Sequence, residues 1–226
     1  MAKWLIDPGH GGVDPGATYN GRRECDDVLK LSIMVGELLK NNNESVNYTR
    51  STDTTISLAE RSNKENSGDY DYFISIHRNA YKPEIANGCE IYVYVNGGIA
   101  EQLANKVNLE IVKNGFVNRG IKKSNFHVLR ETKSPAILVE VGFIDNTSDN
   151  RIFDSKFEQI AKSIVKGCLS QIGKNINENS NSLNNNEVYY RCIVGSFKAK
   201  RNAEIRKAEL IGKGYIDTFI EAYKGK

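Results

Sequence analysis

"AILVEVGF", residues 136–143, decides the fold class. It is β-branched and apolar almost throughout, with one carboxylate set into it. A half-exposed strand alternates apolar and polar residues, whereas a near-continuous apolar run marks a strand covered on both faces. "YFISIH", 72–77, has the same character. Working outward, "KWLID" (3–7), "SVNYTR" (45–50), "CEIYVYV" (89–95) and "FHVLR" (126–130) also read as strands. Helical patterns lie between them. Residues 26–40 place Val28, Leu31, Met34/Val35 and Leu38 on one stripe, 97–114 repeat that period, and 157–173 close with a glycine stop. Strands alternating with helices predict an α/β domain: a mixed, mostly parallel twisted sheet sandwiched by helices. Sheets of this kind carry their sites outside the carboxyl ends of the strands.

The 226 residues are 39% apolar and 26% charged, a soluble globular composition. No run approaches the roughly 20 apolar residues that span a bilayer, and the chain enters its first strand with no signal peptide ahead of it. The expectation is a protein made in the cytoplasm without a membrane anchor and without a nucleic-acid partner. The four cysteines stand in no metal or redox spacing and read as free thiols. From Lys174 the sequence "KNINENSNSLNNNE" has too few apolar residues to pack and reads as a linker. The predicted organisation is therefore a first domain over 1–173, a linker over 174–186 and a small module over 187–226. That last segment holds nine Lys/Arg against five Asp/Glu, either a solvated face or a surface for an anionic partner.

The chain has three histidines. His10 follows the strand "WLID" in a Pro-Gly/Gly-Gly turn, and His77 ends "YFISIH", so both belong at carboxyl ends of core strands. Imidazole there is a zinc-ligand type, and a catalytic zinc usually takes three protein ligands plus water. Glu24 is the candidate third ligand. Asp26 and Asp27 are rivals, each also explained as an N-cap or first-turn acid. Glu140 interrupts a buried strand, which is costly without a partner. Beside a metal site it would serve as general base and then general acid; away from one it would pair with Arg130 or Arg61.

Four segments, "IDPGHGGVDPGATYNGRRE", "TRSTDTTISLAERSNKEN", "YFISIHRNA" and "FHVLRETKSPAILVEVGFIDN", together resemble the zinc-dependent N-acetylmuramoyl-L-alanine amidases of the autolysin and phage endolysin type (the amidase 3 family). The resemblance spans about 1–173. It implies one zinc bound by His10, Glu24 and His77, with Glu140 catalytic, and peptidoglycan as substrate, cut between N-acetylmuramic acid and L-alanine. Asn79 and Arg130 are candidates to orient substrate, and His127 matches no ligand position. Some relatives carry an occluding helix after the second histidine motif. Here "RNAYKPEIANG" is too short for one, which predicts an open site. The competing functions are a glycan-binding protein without turnover and a zinc peptidase cutting within the stem peptide. The settings that fit are a phage endolysin released by a holin-type partner or mother-cell lysis in a spore former.

The segment 188–226 reads as strand, helix, strand, with a glycine stop at Gly212. Its start, "YRCIVGSFKAKRNA", resembles sporulation-related repeat (SPOR) domains, which bind glycan strands stripped of stem peptides. Only half of that pattern is present. A unit this small buries too little core alone, which predicts that two tails pair in a homodimer or that the tail docks on its own catalytic unit.

Overall fold

The computed structural model describes residues 1–176, 195–213 and 220. The chain divides into two units, Met1–Leu183 and Asn184–Lys226. In chain order the first unit contains β1 (Lys3–Pro8), the short strands β2 (Thr18–Tyr19) and β3 (Arg22–Arg23), α1 (Glu24–Asn41), β4 (Ser45–Tyr48), α2 (Leu58–Asn66), β5 (Tyr72–Asn79), β6 (Cys89–Val93), α3 (Ile99–Ile111), β7 (Asn118–Lys123), α4 (His127–Arg130), β8 (Ala136–Phe143), α5 (Thr147–Ser155) and α6 (Phe157–Gln171). The main sheet has the order β4-β1-β5-β8-β6-β7. Strands β4, β1, β5 and β8 run parallel; β6 lies antiparallel to β8, and β7 parallel to β6. The mixed, mostly parallel sheet expected from the sequence is present.

Side chains alternate between the faces of a strand, and that alternation positions the site. Trp4, Ile6, Ile74, Ile76, Ile137, Val139 and Val141 point to one face and join a large core with residues of α1, α3 and α6. Leu5, Phe73, Ala136 and Leu138 point to the other, where Val128 and Leu129 of α4 cover them in a much smaller cluster. Continuing two residues at a time along that second face, β1 reaches Asp7, β5 reaches Ser75 and His77, and β8 reaches Glu140. Register sets His77 beside Glu140 and Glu140 beside Glu90 of β6. One sheet face thus changes from apolar to polar part-way along its strands, and the polar half gathers Asp7, His77, Glu140 and Glu90.

Several sequence expectations need correction. "FHVLR" is not a strand: residues 127–130 form the single turn α4, with the Phe126 carbonyl accepting from the Leu129 and Arg130 amides. The edge strand is instead β7, "NRGIKK", whose residues are mostly half-buried or exposed and so carry no apolar signal. Helix α2 also escaped the apolar reading, because its mean character is polar; its start is marked by a capping box between Ser57 and Glu60. The loop 80–88 contains turns and no helix, as the short spacer predicts. Among the described residues Cys25, Cys89 and Cys168 are buried free thiols.

In the second unit, α7 (Lys200–Gly212) forms where the helical period and Gly212 place it. The strand expected around 188–194, that around 215–223 apart from residue 220, and most of the 174–186 linker lie outside the described residues.

Candidate active site

Three side chains converge at the polar half of the sheet. His10 stands in the turn after β1, Glu24 opens α1, and His77 is within β5, two residues before its end. One donor atom from each lies within 4.8 Å of the other two. Glu24 is the hub: its Oε1 lies 2.9 Å from His77 Nδ1 and its Oε2 3.2 Å from His10 Nε2. Backbone amides hold the carboxylate in place, Arg78 N–H on Oε1 at 3.0 Å and Ala17 N–H on Oε2 at 2.9 Å. The imidazoles meet edge to face with ring centres 5.0 Å apart.

The turn that carries His10 is strained and clamped. His10 has φ +57°, a left-handed conformation that costs on the order of 1–3 kcal/mol in a residue with a side chain. Paired backbone hydrogen bonds between Gly11 and Asp14 fold the chain back, and Asp14 Oδ2 sits 2.8 Å from His10 Nδ1. That contact leaves Nε2 facing the cluster, the arrangement by which an outer carboxylate orients a metal-binding imidazole. Two buried arginines hold the turn from behind. Arg50 donates to the Pro8 and Gly9 carbonyls, and Arg61 to those of Pro8 and His10. Asp7 neutralises Arg61 at 2.6 Å and also accepts from Thr49 and Ser75. The glycines are equally specific. A β-carbon at Gly9 would stand 2.3 Å from His77 Cε1, and one at Gly16, where φ is +66°, 2.6 Å from Glu24 Oε2.

The charges favour a cation. Burial pulls His10 down, but hydrogen bonds to Glu24 and Asp14 and their charges outweigh it, raising its pKa from 6.5 to about 9. His77 is raised in the same way, burial being overcome by Glu24. Burial pushes Glu24 up, yet the two imidazoles hold it well below the usual carboxylate range. Glu24 thus favours positive charge on the two imidazoles, a charge that a divalent ion would supply instead. Two nitrogens and one oxygen are a suitable donor set for zinc. Glu140 stands alongside. Burial raises its pKa from 4.5 to about 7, with His77 pulling it down and Glu24 pushing it further up. Its Oε2 is buried without a hydrogen-bond partner among the described residues.

The four groups His10, Glu24, His77 and Glu140 all lie within residues 5–170, the span matched by the family model for N-acetylmuramoyl-L-alanine amidases of the amidase 3 type. The chain belongs to that family. Over 222 residues it is 38% identical to the N-acetylmuramoyl-L-alanine amidase CwlM of Bacillus licheniformis, covering 95% of this chain and 83% of the relative. It is 36% identical over 220 residues to a sporulation-specific N-acetylmuramoyl-L-alanine amidase of Bacillus subtilis, with the same coverage. A solved N-acetylmuramoyl-L-alanine amidase from Clostridium difficile 630 superposes with a TM-score of 0.72 at 36% identity, covering 76% of this chain and 97% of that one.

Other candidate residues of this amidase-family chain have different partners. Asp26 and Asp27 lie in the first turn of α1 and pair with arginines, Asp26 with Arg23, and Asp27 with Arg22 and Arg78. Neither alternative partner reaches Glu140: Arg61 is bound to Asp7, and Arg130 to Glu131 and Asn125. Asn79 donates to Glu90 at 2.7 Å and accepts from the Ala80 amide. His127 opens α4 and hydrogen-bonds Ser62 of α2 at 3.1 Å. Sequence reading missed Asp7, Asp14 and Arg50. Only Asp14 had a local signal, an acid four residues after His10 across a glycine turn.

The clamp yields a stability prediction. Arg61→Gln leaves the buried Asp7 charge without its cation and takes a donor from the Pro8, His10 and Ile56 carbonyls, and is expected to cost about 3–5 kcal/mol in urea unfolding. A change below about 1 kcal/mol would mean that Asp7 and the turn do not depend on Arg61.

Proposed function

We propose that the first unit hydrolyses peptidoglycan at the amide between the lactyl group of N-acetylmuramic acid and L-alanine, using one zinc ion held by His10, Glu24 and His77. The observation that carries this reading is the buried, unpartnered Oε2 of Glu140 beside a three-donor cluster. A bound zinc supplies a Lewis acid for the scissile carbonyl and acidifies the attacking water. Glu140 takes the proton of that water on its carboxylate as the C–O bond forms. It then returns the proton to the leaving nitrogen as the C–N bond breaks, freeing the L-alanine amine. Burial in the strand raises the Glu140 carboxyl, which favours its taking up a proton. Glu24 and Asp14 orient the imidazoles, while Arg50 and Arg61 hold the turn that presents His10. Asn79 and Arg130 enter as substrate-orienting groups only by exchanging the protein partners they now hold.

In this reading the second unit binds glycan strands. The 222-residue alignment with the Bacillus licheniformis relative extends well past the 5–170 span, in support of a shared C-terminal segment. The protein acts on the cell wall. Among the described residues no helix is long and apolar enough to cross a membrane. Of the two settings, the similarity to a sporulation-specific amidase favours a spore former over phage release.

The test is digestion of purified cell walls followed by mass spectrometry. Stem peptides with a free L-alanine amino terminus support the amidase reading. Cuts inside the stem peptide would assign a peptidase, and zinc binding without products a glycan-binding protein.

A further inference from the structure

The polar half of the sheet face does not stop at Glu140. Register carries it to Glu90 on β6 and on to the edge strand β7. Glu90 is only 2% exposed, yet it is the acceptor for four donors. Asn79 and Tyr92 donate to Oε1 at 2.7 and 2.6 Å. Arg119 donates to Oε2 at 2.6 Å, and Lys122 also binds that oxygen. Two cations thus converge on one carboxylate oxygen, and each shares it with the other.

Both cations remain reachable, with side chains 33% and 38% exposed. Arg119 is also held in position, its guanidinium 5.0 Å over the Phe143 ring and its NH1 on the Asn87 carbonyl. Its NH2 has no hydrogen-bond partner among the described residues. A fixed guanidinium with a free N–H beside a partly exposed ammonium is suited to receive a carboxylate.

We propose that Arg119 and Lys122 form a carboxylate subsite that binds the stem peptide beyond the scissile amide. The inference rests on the amidase reading and adds a specificity to it. Strands lie about 4.8 Å apart, so β7 stands roughly 10 Å from Glu140 on β8, across β6. An extended peptide covers about 3.3–3.6 Å per residue, so the subsite meets the second or third residue after the cut. Stem peptides carry free carboxylates that can be amidated, which removes the charge and leaves the size almost unchanged. Arg119 and Lys122 therefore discriminate free-acid from amidated stems, chiefly through substrate binding.

The experiment compares zinc-loaded full-length protein on soluble N-acetylmuramoyl peptides, with the carboxylates of the second and third residues amidated one at a time. One amidation is expected to lower kcat/KM about tenfold, mostly by raising KM. In Arg119→Gln and Lys122→Gln that ratio falls toward one, whereas Arg119→Lys, which keeps the charge against Glu90, retains part of it. Thermal melts confirm that each variant is folded, and the wild-type ratio needs no variant at all. If neither amidation changes wild-type kinetics, or the preference survives in both glutamine variants, the subsite is overturned while the amidase reading stands. If no muropeptide is cut at the lactyl amide, the amidase reading falls and the subsite falls with it.

Discussion

Glu140→Gln is expected to lower kcat by roughly 10²–10⁴-fold while leaving bound zinc unchanged. Glutamine fills the same space and keeps a polar end, but it cannot accept the proton of water at neutral pH. The variant separates proton transfer from metal binding because Glu140 lies outside the three-donor cluster. The measurement is paired: turnover on purified walls and zinc content of the same sample. Loss of zinc with loss of activity would make Glu140 a ligand or a support for one. Unchanged activity would remove it from the chemistry.

The same substitution carries a stability signature. Burial raises the Glu140 carboxyl from 4.5 to about 7, so the folded metal-free protein keeps a proton that the unfolded chain releases. The folded state therefore binds more protons between about pH 4.5 and 7, and this group's contribution to stability falls as pH rises through that window. Glu140→Gln lacks that loss. In metal-free samples the variant is expected to gain on wild type as pH rises from 4.5 to 7, read as a widening difference in urea midpoint. A constant difference would mean that the carboxyl ionises as freely in the folded protein as in the unfolded chain. A buried group whose removal stabilises the fold is the expected cost of holding an unpartnered carboxylate out of water.

The second large effect concerns the donors. Glu24→Ala is expected to abolish stable zinc retention and to reduce wall digestion by at least about 10³-fold, since the metal supplies both carbonyl polarisation and acidified water. Chelated wild type is expected to regain activity when zinc is restored, and Glu24→Ala is expected not to. Asp14→Ala provides a graded control. Asp14 touches only the far nitrogen of His10, so its loss should weaken zinc binding by about 10–100-fold without abolishing it. Dialysis against a zinc buffer series ranks the three proteins. Equal retention in wild type and Glu24→Ala would show that Glu24 is not a ligand, whatever its place between the imidazoles.

The order of these effects follows from how the cluster is assembled. His77 and Glu140 ride on adjacent core strands whose register is set by ladder hydrogen bonds and by apolar residues on both faces. His10 rides on a turn, and a turn has no such lattice. Its positive φ is maintained by Arg50 and Arg61, which reach it from 40 to 51 residues further along the chain. Glu24 is fixed by its place at the start of α1 and by two amides, one from the loop before it and one from β5. A cluster with members on a strand, a turn and a helix start needs the glycines at 9 and 16, because the backbone passes within contact of the His77 and Glu24 side chains themselves.

Much of this was legible in the linear chain. Near-continuous apolar runs at 72–76 and 136–141 identified central strands, because a strand covered on both faces has no polar side to show. A histidine after Pro-Gly and a glutamate inside an apolar strand stood out, because neither has a local structural reason to be there. Elements lacking an apolar signal were lost: β7 at the sheet edge, the polar helix α2, and the single turn α4, read as a strand because its four residues resemble either state. The amino-acid sequence by itself determined the layered α/β class, the positions of the three donors and the buried acid, since each depends on local pattern. Only the tertiary structure decided that His77, Glu140 and Glu90 share one sheet face, that Asp14 orients His10, and that Asp7 and two arginines clamp the turn. Those relations depend on strand register and on contacts across tens of residues, where the chain holds no periodicity to read.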